Sequence, residues 1–278
     1  MPLNLDVLGR RFGPSLFSYD RDDVILYALG VGAGVDELDF VYEKRLKVYP
    51  TFAAAPLMGC IFNFIKDSNI NLAALLHGEQ KVVLHREIPV SGTVRTTYEC
   101  KSIYDKGKNG AVLNLHLTTV DEKDEVLFEN IAVLFDRSAG DFGGDPGPKS
   151  EKIAPPADAA PDMSIKYQTS PNQAALYRLC GDKNPLHIDP GFARKGGFDK
   201  PILHGLCTYG FAGRAILEGL CGNDPARLKS FAVRFTGVVF PGDALITEAW
   251  KMDDHRYVVQ TKTGEGRVVL GAALAEIA

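Results

Sequence analysis

The chain has 278 residues, 45% of them hydrophobic, enough for one large core or two of ordinary size, and domains of roughly 100 to 200 residues favour two. Its net charge is −4 with 31 scattered basic residues, so no electrostatic footprint for a nucleic-acid backbone exists. Five widely spaced cysteines (Cys60, Cys100, Cys180, Cys207, Cys221) without a CxxC pair argue against a disulfide framework and a zinc site, and no metal cluster stands out among the six histidines.

The N-terminal stretch MPLNLDVLGRRFG lacks the apolar run of a signal peptide, and no apolar stretch approaches the roughly 18 residues of a membrane span. A protein of a reducing, intracellular compartment is expected, with no membrane insertion. Asp20 and Asp23 occupy helix-capping positions, Leu26, Tyr27 and Leu29 follow, and Gly30 stops the helix. Gly30 to Gly34 (GVGAG) follows a helix rather than a strand, so it lacks the geometry of a dinucleotide-binding turn. A short apolar segment runs from Ala53 to Ile65. Past Leu76-His77-Gly78 and a turn at Pro89 and Gly92, apolar runs at Thr93 to Tyr104, Ala111 to Val120 and Val126 to Phe135 predict antiparallel strands joined by polar turns such as Lys106 to Asn109.

Residues 139–162 are rich in glycine and proline and read as a linker between halves 1–138 and 163–278. Beyond it, Ser170, Pro171 and Gln173 have the form of a capping box, which predicts a helix with Leu176, Leu179 and Cys180 on its apolar face and Gly181 as its stop. Gly205 to Leu220 is apolar nearly all round, so it should be a helix buried against a sheet. Strands are predicted at Phe231 to Phe240, Ala244 to Trp250, Tyr257 to Lys262 and Val268 to Ala273.

The same order of elements thus occurs twice. Leu76-His77-Gly78 matches Leu203-His204-Gly205, Pro89 and Gly92 match Pro241 and Gly242, and the capped helices align at an offset of about 150. A sheet wrapped around one buried helix, made twice, is the expected α+β architecture. At that offset Asp182 falls opposite Gly32, Asn184 opposite Gly34 and His187 opposite Glu37, so only the second half carries the acid and the imidazole.

Cys180-Gly181-Asp182-Lys183-Asn184-Pro185-Leu186-His187 leaves a helix through glycine and meets a proline, which makes a stiff loop. A carboxylate, an amide and an imidazole within six residues can converge on one small volume and polarise a water. Taken alone, the string also describes a turn in which Asp182 caps, Asn184 closes an Asx-turn and His187 is a surface histidine. Context favours chemistry, because Gly205 opens the buried helix and its free N–H could hold an anionic oxygen. Close helix packing is the alternative reading of Gly205.

The run YRLCGDKNPLHIDPGFARKGGFDKPILHGLCTYGFAGRA resembles the hydratase 2 motif of the MaoC-like (R)-specific enoyl-CoA hydratases, and LYALGVGAG, LLHGEQ, DKG, NQAALYRL and VRF resemble family segments elsewhere. The resemblance implies a double hot dog fold with a degenerate first half and an active second half. It implies Asp182 and His187 as the catalytic pair with Asn184 beside them, and Gly205 as donor to the thioester carbonyl. Acyl-CoA contacts would fall on His77, Gly78, Lys106, the loop of Asp182, Lys183, Asn184, Pro185, Leu186 and His187, and on Gly205 and Phe235. Without the family, His77, Lys106 and Phe235 read as a turn residue, a solvated charge and a core aromatic. The implied product is (3R)-3-hydroxyacyl-CoA, with coenzyme A as part of the substrate and no separate cofactor.

The resemblance also implies a homodimer, and a shortened first-half helix that leaves room for an acyl tail. The chain ends Ile277-Ala278 without an SKL-like signal, so a cytoplasmic location is expected ahead of a peroxisomal one. Competing readings are a hot dog thioesterase, a non-catalytic acyl-CoA binder and, more weakly, a cysteine acyltransferase built on Cys207 and His204.

Overall fold

The computed structural model describes residues 2–72, 74–149 and 152–278. In the first half β1 (Arg11–Tyr19) leads into α1 (Arg21–Gly30), the one-turn α2 (Leu38–Val41) and α3 (Leu57–Ser68). Four strands follow: β2 (Leu75–Leu84), β3 (Gly92–Asp105), β4 (Ala111–Val120) and β5 (Val126–Asp136). The second half repeats the plan with β6 (Met163–Gln168), α4 (Gln173–Tyr177), α5 (Pro190–Lys195), α6 (Gly205–Cys221), β7 (Leu228–Phe235), β8 (Ala244–Lys251), β9 (Arg256–Thr263) and β10 (Val268–Ile277).

All ten strands join one antiparallel sheet in the order β1-β3-β4-β5-β2-β7-β10-β9-β8-β6. Read outward from the central β2–β7 pair, the two arms are the same list shifted by five strands. That symmetry establishes the double hot dog. Period-two burial along β3 and β4 turns one face toward the helices, as half-buried strands require. The buried faces carry the mark of duplication in a polar detail: Thr96 and Thr119 hydrogen-bond across β3 and β4 at 2.8 Å, and Thr247 and Thr261 do so across β8 and β9 at 3.0 Å.

The central helices differ in length and in cover. α6 runs 17 residues and is buried from Leu206 through Leu217, because its sequence offers apolar or small side chains on every face. α3 runs only 12 residues, and a 3-10 turn (Pro50–Ala54) takes the place of its first turns. That turn is tied to the sheet by buried amides: Asn130 donates to the Ala53 carbonyl at 2.9 Å and accepts from Gln80 at 2.7 Å.

Several local expectations need correction. Leu203-His204-Gly205 opens α6, but Leu76-His77-Gly78 lies within β2, so these tripeptides are not structural counterparts. β7 ends at Phe235, and residues 236–240 leave the ladder. α4 starts at Gln173 rather than at Pro171, although Gln173 does accept from the Ser170 amide at 3.1 Å as a capping box requires. Its buried residues are Gln173, Ala174 and Tyr177, while Leu179 is 53% exposed. The reason is tertiary: α4 packs on α1, and Gln173 donates to the Gly30 carbonyl at 2.7 Å, which turns Tyr177 and not Leu179 inward. The capping box of α1, with Asp20 and Asp23 each bonding the other's backbone, is as expected.

Candidate active site

Gly181, at φ +124°, turns the chain out of the helical run and into the loop that carries Asp182 and His187. The loop holds itself by local bonds that its sequence dictates. The Asn184 amide donates to Asp182 Oδ1 at 3.1 Å, Asn184 Oδ1 caps the 3-10 turn Pro185–His187 by accepting from the Leu186 amide at 3.0 Å, and Pro185 takes the first helical position.

His187 Nδ1 lies 2.9 Å from the Ile202 carbonyl oxygen. A carbonyl can only accept, so Nδ1 carries the proton and Nε2 of the neutral ring presents a bare lone pair. That lone pair faces Asp182 Oδ2 at 3.9 Å. Two acceptors at this distance do not bond each other, and a water donating one hydrogen to each fits between them. Burial pushes the His187 imidazole below its ordinary pKa, with the Asp182 charge and the Ile202 bond pulling the other way. The ring therefore stays neutral, and basic, at neutral pH.

The pair opens on a cavity of about 1230 Å3, above the roughly 300–1,000 Å3 common for small-molecule sites. Asp182, Asn184, Leu186, His187, Gly205, His77, Gly78, Lys106 and Phe235 all line it. The first residue of α6 is Gly205, whose N–H has no acceptor one turn back. A Cβ there would stand 3.2 Å from the Phe235 ring, so glycine is also what lets that wall close. His77 sits against Phe235 with ring centres 5.2 Å apart, and burial takes its pKa down to about 4. Lys183 and Pro185 point away: both are exposed and neither lines the cavity. The Lys106 ammonium is engaged with the Pro146 carbonyl at the cavity edge.

Residues 152–273 match the MaoC like domain, and residues 17–138 match the MFE-2 hydratase 2 N-terminal domain. A Dictyostelium discoideum protein named a probable enoyl-CoA hydratase 2 is 42% identical over 98% of this chain and 95% of its own length. The chain belongs to the MaoC-like hydratase 2 family. A MaoC-like dehydratase from Phytophthora capsici superposes with a TM-score of 0.88 at 30% identity, covering 99% of this chain and 98% of that one. A Mycobacterium tuberculosis protein described as a double hotdog fold superposes with a TM-score of 0.61 over 98% of this chain and 96% of that one, at 16% identity.

In this hydratase 2 relative, the structure brings to the site two residues of the motif run that the sequence had not tied to the acid and the imidazole. Ile202 and His204, just before Gly205, reach back to the loop: His204 Nε2 lies 3.1 Å from the Asp182 carbonyl oxygen, and the His187 and His204 rings lie with centres 3.8 Å apart, tilted by 30°. Ligand-type atoms of Asp182, His187 and His204 lie within 4.8 Å of one another, a three-donor cluster that the 16 residues between His187 and His204 hid from a search by spacing. Hydrogen bonds to main-chain carbonyls already occupy one nitrogen of each ring. Glu37, opposite His187 in the self-alignment, is also engaged: it makes a two-pronged ion pair with Arg214 of α6 at 2.7 and 2.5 Å.

Proposed function

We propose that this chain adds water across the double bond of trans-2-enoyl-CoA to give (3R)-3-hydroxyacyl-CoA, and runs the reverse dehydration. One observation carries the reading: Asp182 Oδ2 and His187 Nε2 face each other 3.9 Å apart in the cavity that the first residue of α6 also lines. The name of the Dictyostelium relative supports the same reaction.

Asp182 and His187 are the catalytic pair, and Asn184 holds their loop. The thioester carbonyl accepts from the Gly205 N–H at the positive end of α6, which draws electrons toward oxygen and leaves C3 electrophilic. Water, donating to both acceptors, turns its lone pair to C3. As the C3–O bond forms, the pair takes one proton from the water and returns one proton to C2 from the same face, so one H2O is added in syn fashion. His77, Gly78, Lys106, Phe235 and the Asp182–His187 loop contact the acyl-CoA, Lys183 and Pro185 from its outer side. The apolar wall of Met58, Ile61, Ile65 and Leu75 beside the short α3 takes the acyl tail. Two chains associate as a homodimer, which sedimentation or light scattering would measure.

Positioned acid-base groups contribute about 10²–10⁴ in rate, or about 2.7–5.4 kcal/mol of barrier. The test follows loss of enoyl-thioester absorbance, with chiral analysis of the product, for the wild type, Asp182→Asn and His187→Ala. A (3R) product whose formation falls at least about a hundredfold in both folded variants is expected. Near-normal turnover in either variant overturns the assignment of the pair, and release of free coenzyme A from the wild type would replace hydration with hydrolysis.

A further inference from the structure

Beyond the pair itself, the segment from Ile202 to Gly205 is bonded to both of its members. The Ile202 carbonyl takes the Nδ1–H of His187, and His204 Nε2 stands 3.1 Å from the main-chain carbonyl of Asp182. By the same logic as for His187, a nitrogen bonded to a carbonyl must carry the hydrogen, so His204 is the Nε2–H tautomer. Its Nδ1 is then a bare lone pair, buried and without a hydrogen-bond partner among the described residues. An unpaired buried acceptor is destabilising, and an apolar ring of similar shape would avoid that penalty. The single hydrogen bond that the His204 side chain makes among the described residues is the one to Asp182.

The ring has a second use. It lies between Tyr177, 5.0 Å away, and His187, 3.8 Å away and inclined by 30°, with only 1% of the residue exposed. Neither imidazole can swing toward the space the other fills.

We propose that His204 is a positioning residue for the hydration: its Nε2–H pins the main chain of Asp182 while its ring seats the imidazole of His187, and together these keep the two acceptors one water apart. The inference rests on the reading of Asp182 and His187 as the water-holding pair. Burial, and then the neighbouring His187, take the His204 pKa down to about 2, so it stays neutral while His187 gains and returns a proton. The charged and titratable groups around the two rings are Asp182, Arg178 and Tyr177.

Two substitutions separate the donor from the ring. His204→Gln keeps an N–H near the position of Nε2, and His204→Phe keeps a flat ring without a donor. One hydrogen bond of about 1.4 kcal/mol is about tenfold in rate, so His204→Phe should lose about tenfold in kcat with KM for enoyl-CoA changed less than about threefold. His204→Gln, which keeps the donor but not the ring, should lose about threefold in kcat, and a His204→Gln enzyme at wild-type rate would overturn the ring's part. A His204→Phe enzyme at wild-type rate, or a His204→Gln enzyme as impaired as His204→Phe, overturns the proposal.

Nitrogen-15 NMR of the wild-type imidazoles tests it whether or not the variants fold. His204 should be the neutral Nε2–H tautomer from about pH 5 to 8, and an Nδ1–H tautomer or a titration in that range overturns the proposal. A wild type that binds enoyl-CoA but does not hydrate it overturns the assigned reaction instead, and the tautomer then still decides whether His204 holds Asp182.

Discussion

Replacing Glu37 with glutamine should destabilise this protein far more than a substitution outside the cavity ordinarily does. The Glu37 carboxylate receives the Arg214 Nε at 2.7 Å, a second guanidinium nitrogen at 2.5 Å, the Tyr49 hydroxyl at 2.9 Å and the Gly34 amide at 2.9 Å. The Arg214 side chain is 11% exposed and that of Glu37 23% exposed, and the guanidinium stacks on Tyr167 at 3.8 Å. Burial alone would raise the Glu37 pKa, but its bonds to Arg214 and to the Gly34 amide outweigh it and hold the carboxyl below the usual range. The pair's stabilisation is therefore complete at neutral pH and is lost only as pH falls through that depressed value.

Removing one partner of a buried pair strands the other charge, at a cost of about 3–5 kcal/mol, and the partial exposure of Glu37 places this case near about 3 kcal/mol. Arg214→Met leaves the carboxylate with two other donors and some water, so it should lose about 1–2 kcal/mol. The double variant should lose less than the sum, with a coupling of about 2 kcal/mol. Urea unfolding of the four proteins at pH 7, with m compared across the set, measures this cycle. Losses that add to within about 0.5 kcal/mol would refute the idea that this ion pair joins the first-half loop to α6.

Two further outcomes are expected. With His187 as the proposed neutral base and its pKa lowered by burial, kcat/KM should stay flat as pH falls to 6.5 and drop only below it; an acid limb above 6.5, read from a pH profile, contradicts the buried imidazole. Met58→Trp on α3 fills the apolar end of the cavity, so kcat/KM should fall by about tenfold or more for long-chain enoyl-CoA and little for a four-carbon substrate, and equal losses would place the tail elsewhere.

Much of this molecule was legible in one dimension because the relevant physics is local. The capping box of Asp20 and Asp23, the all-round apolar α6 and the period-two strands from Thr93 to Phe135 each follow from neighbours within a few residues. The Asp182 to His187 loop was equally readable, since Gly181 and Pro185 impose its turns and Asn184 closes one of them. What failed was what depends on partners. The paired LHG tripeptides looked like a repeat, yet β2 takes one into the sheet and α6 begins with the other. The apolar face assigned to Leu176, Leu179 and Cys180 gave way to Tyr177 once α1 was in place.

Sequence alone determined that the chain is two versions of one unit and that only the second carries an acid and an imidazole in a stiff loop. Tertiary structure alone decided that Asp182 Oδ2 and His187 Nε2 lie 3.9 Å apart beside the Ile202 carbonyl and the His204 ring, because that segment follows further along the chain and only the fold brings it back to the loop. It also decided that Glu37, in the first half, grips α6 through Arg214, since an ion pair between residues 177 positions apart forms only when the fold brings the two halves together.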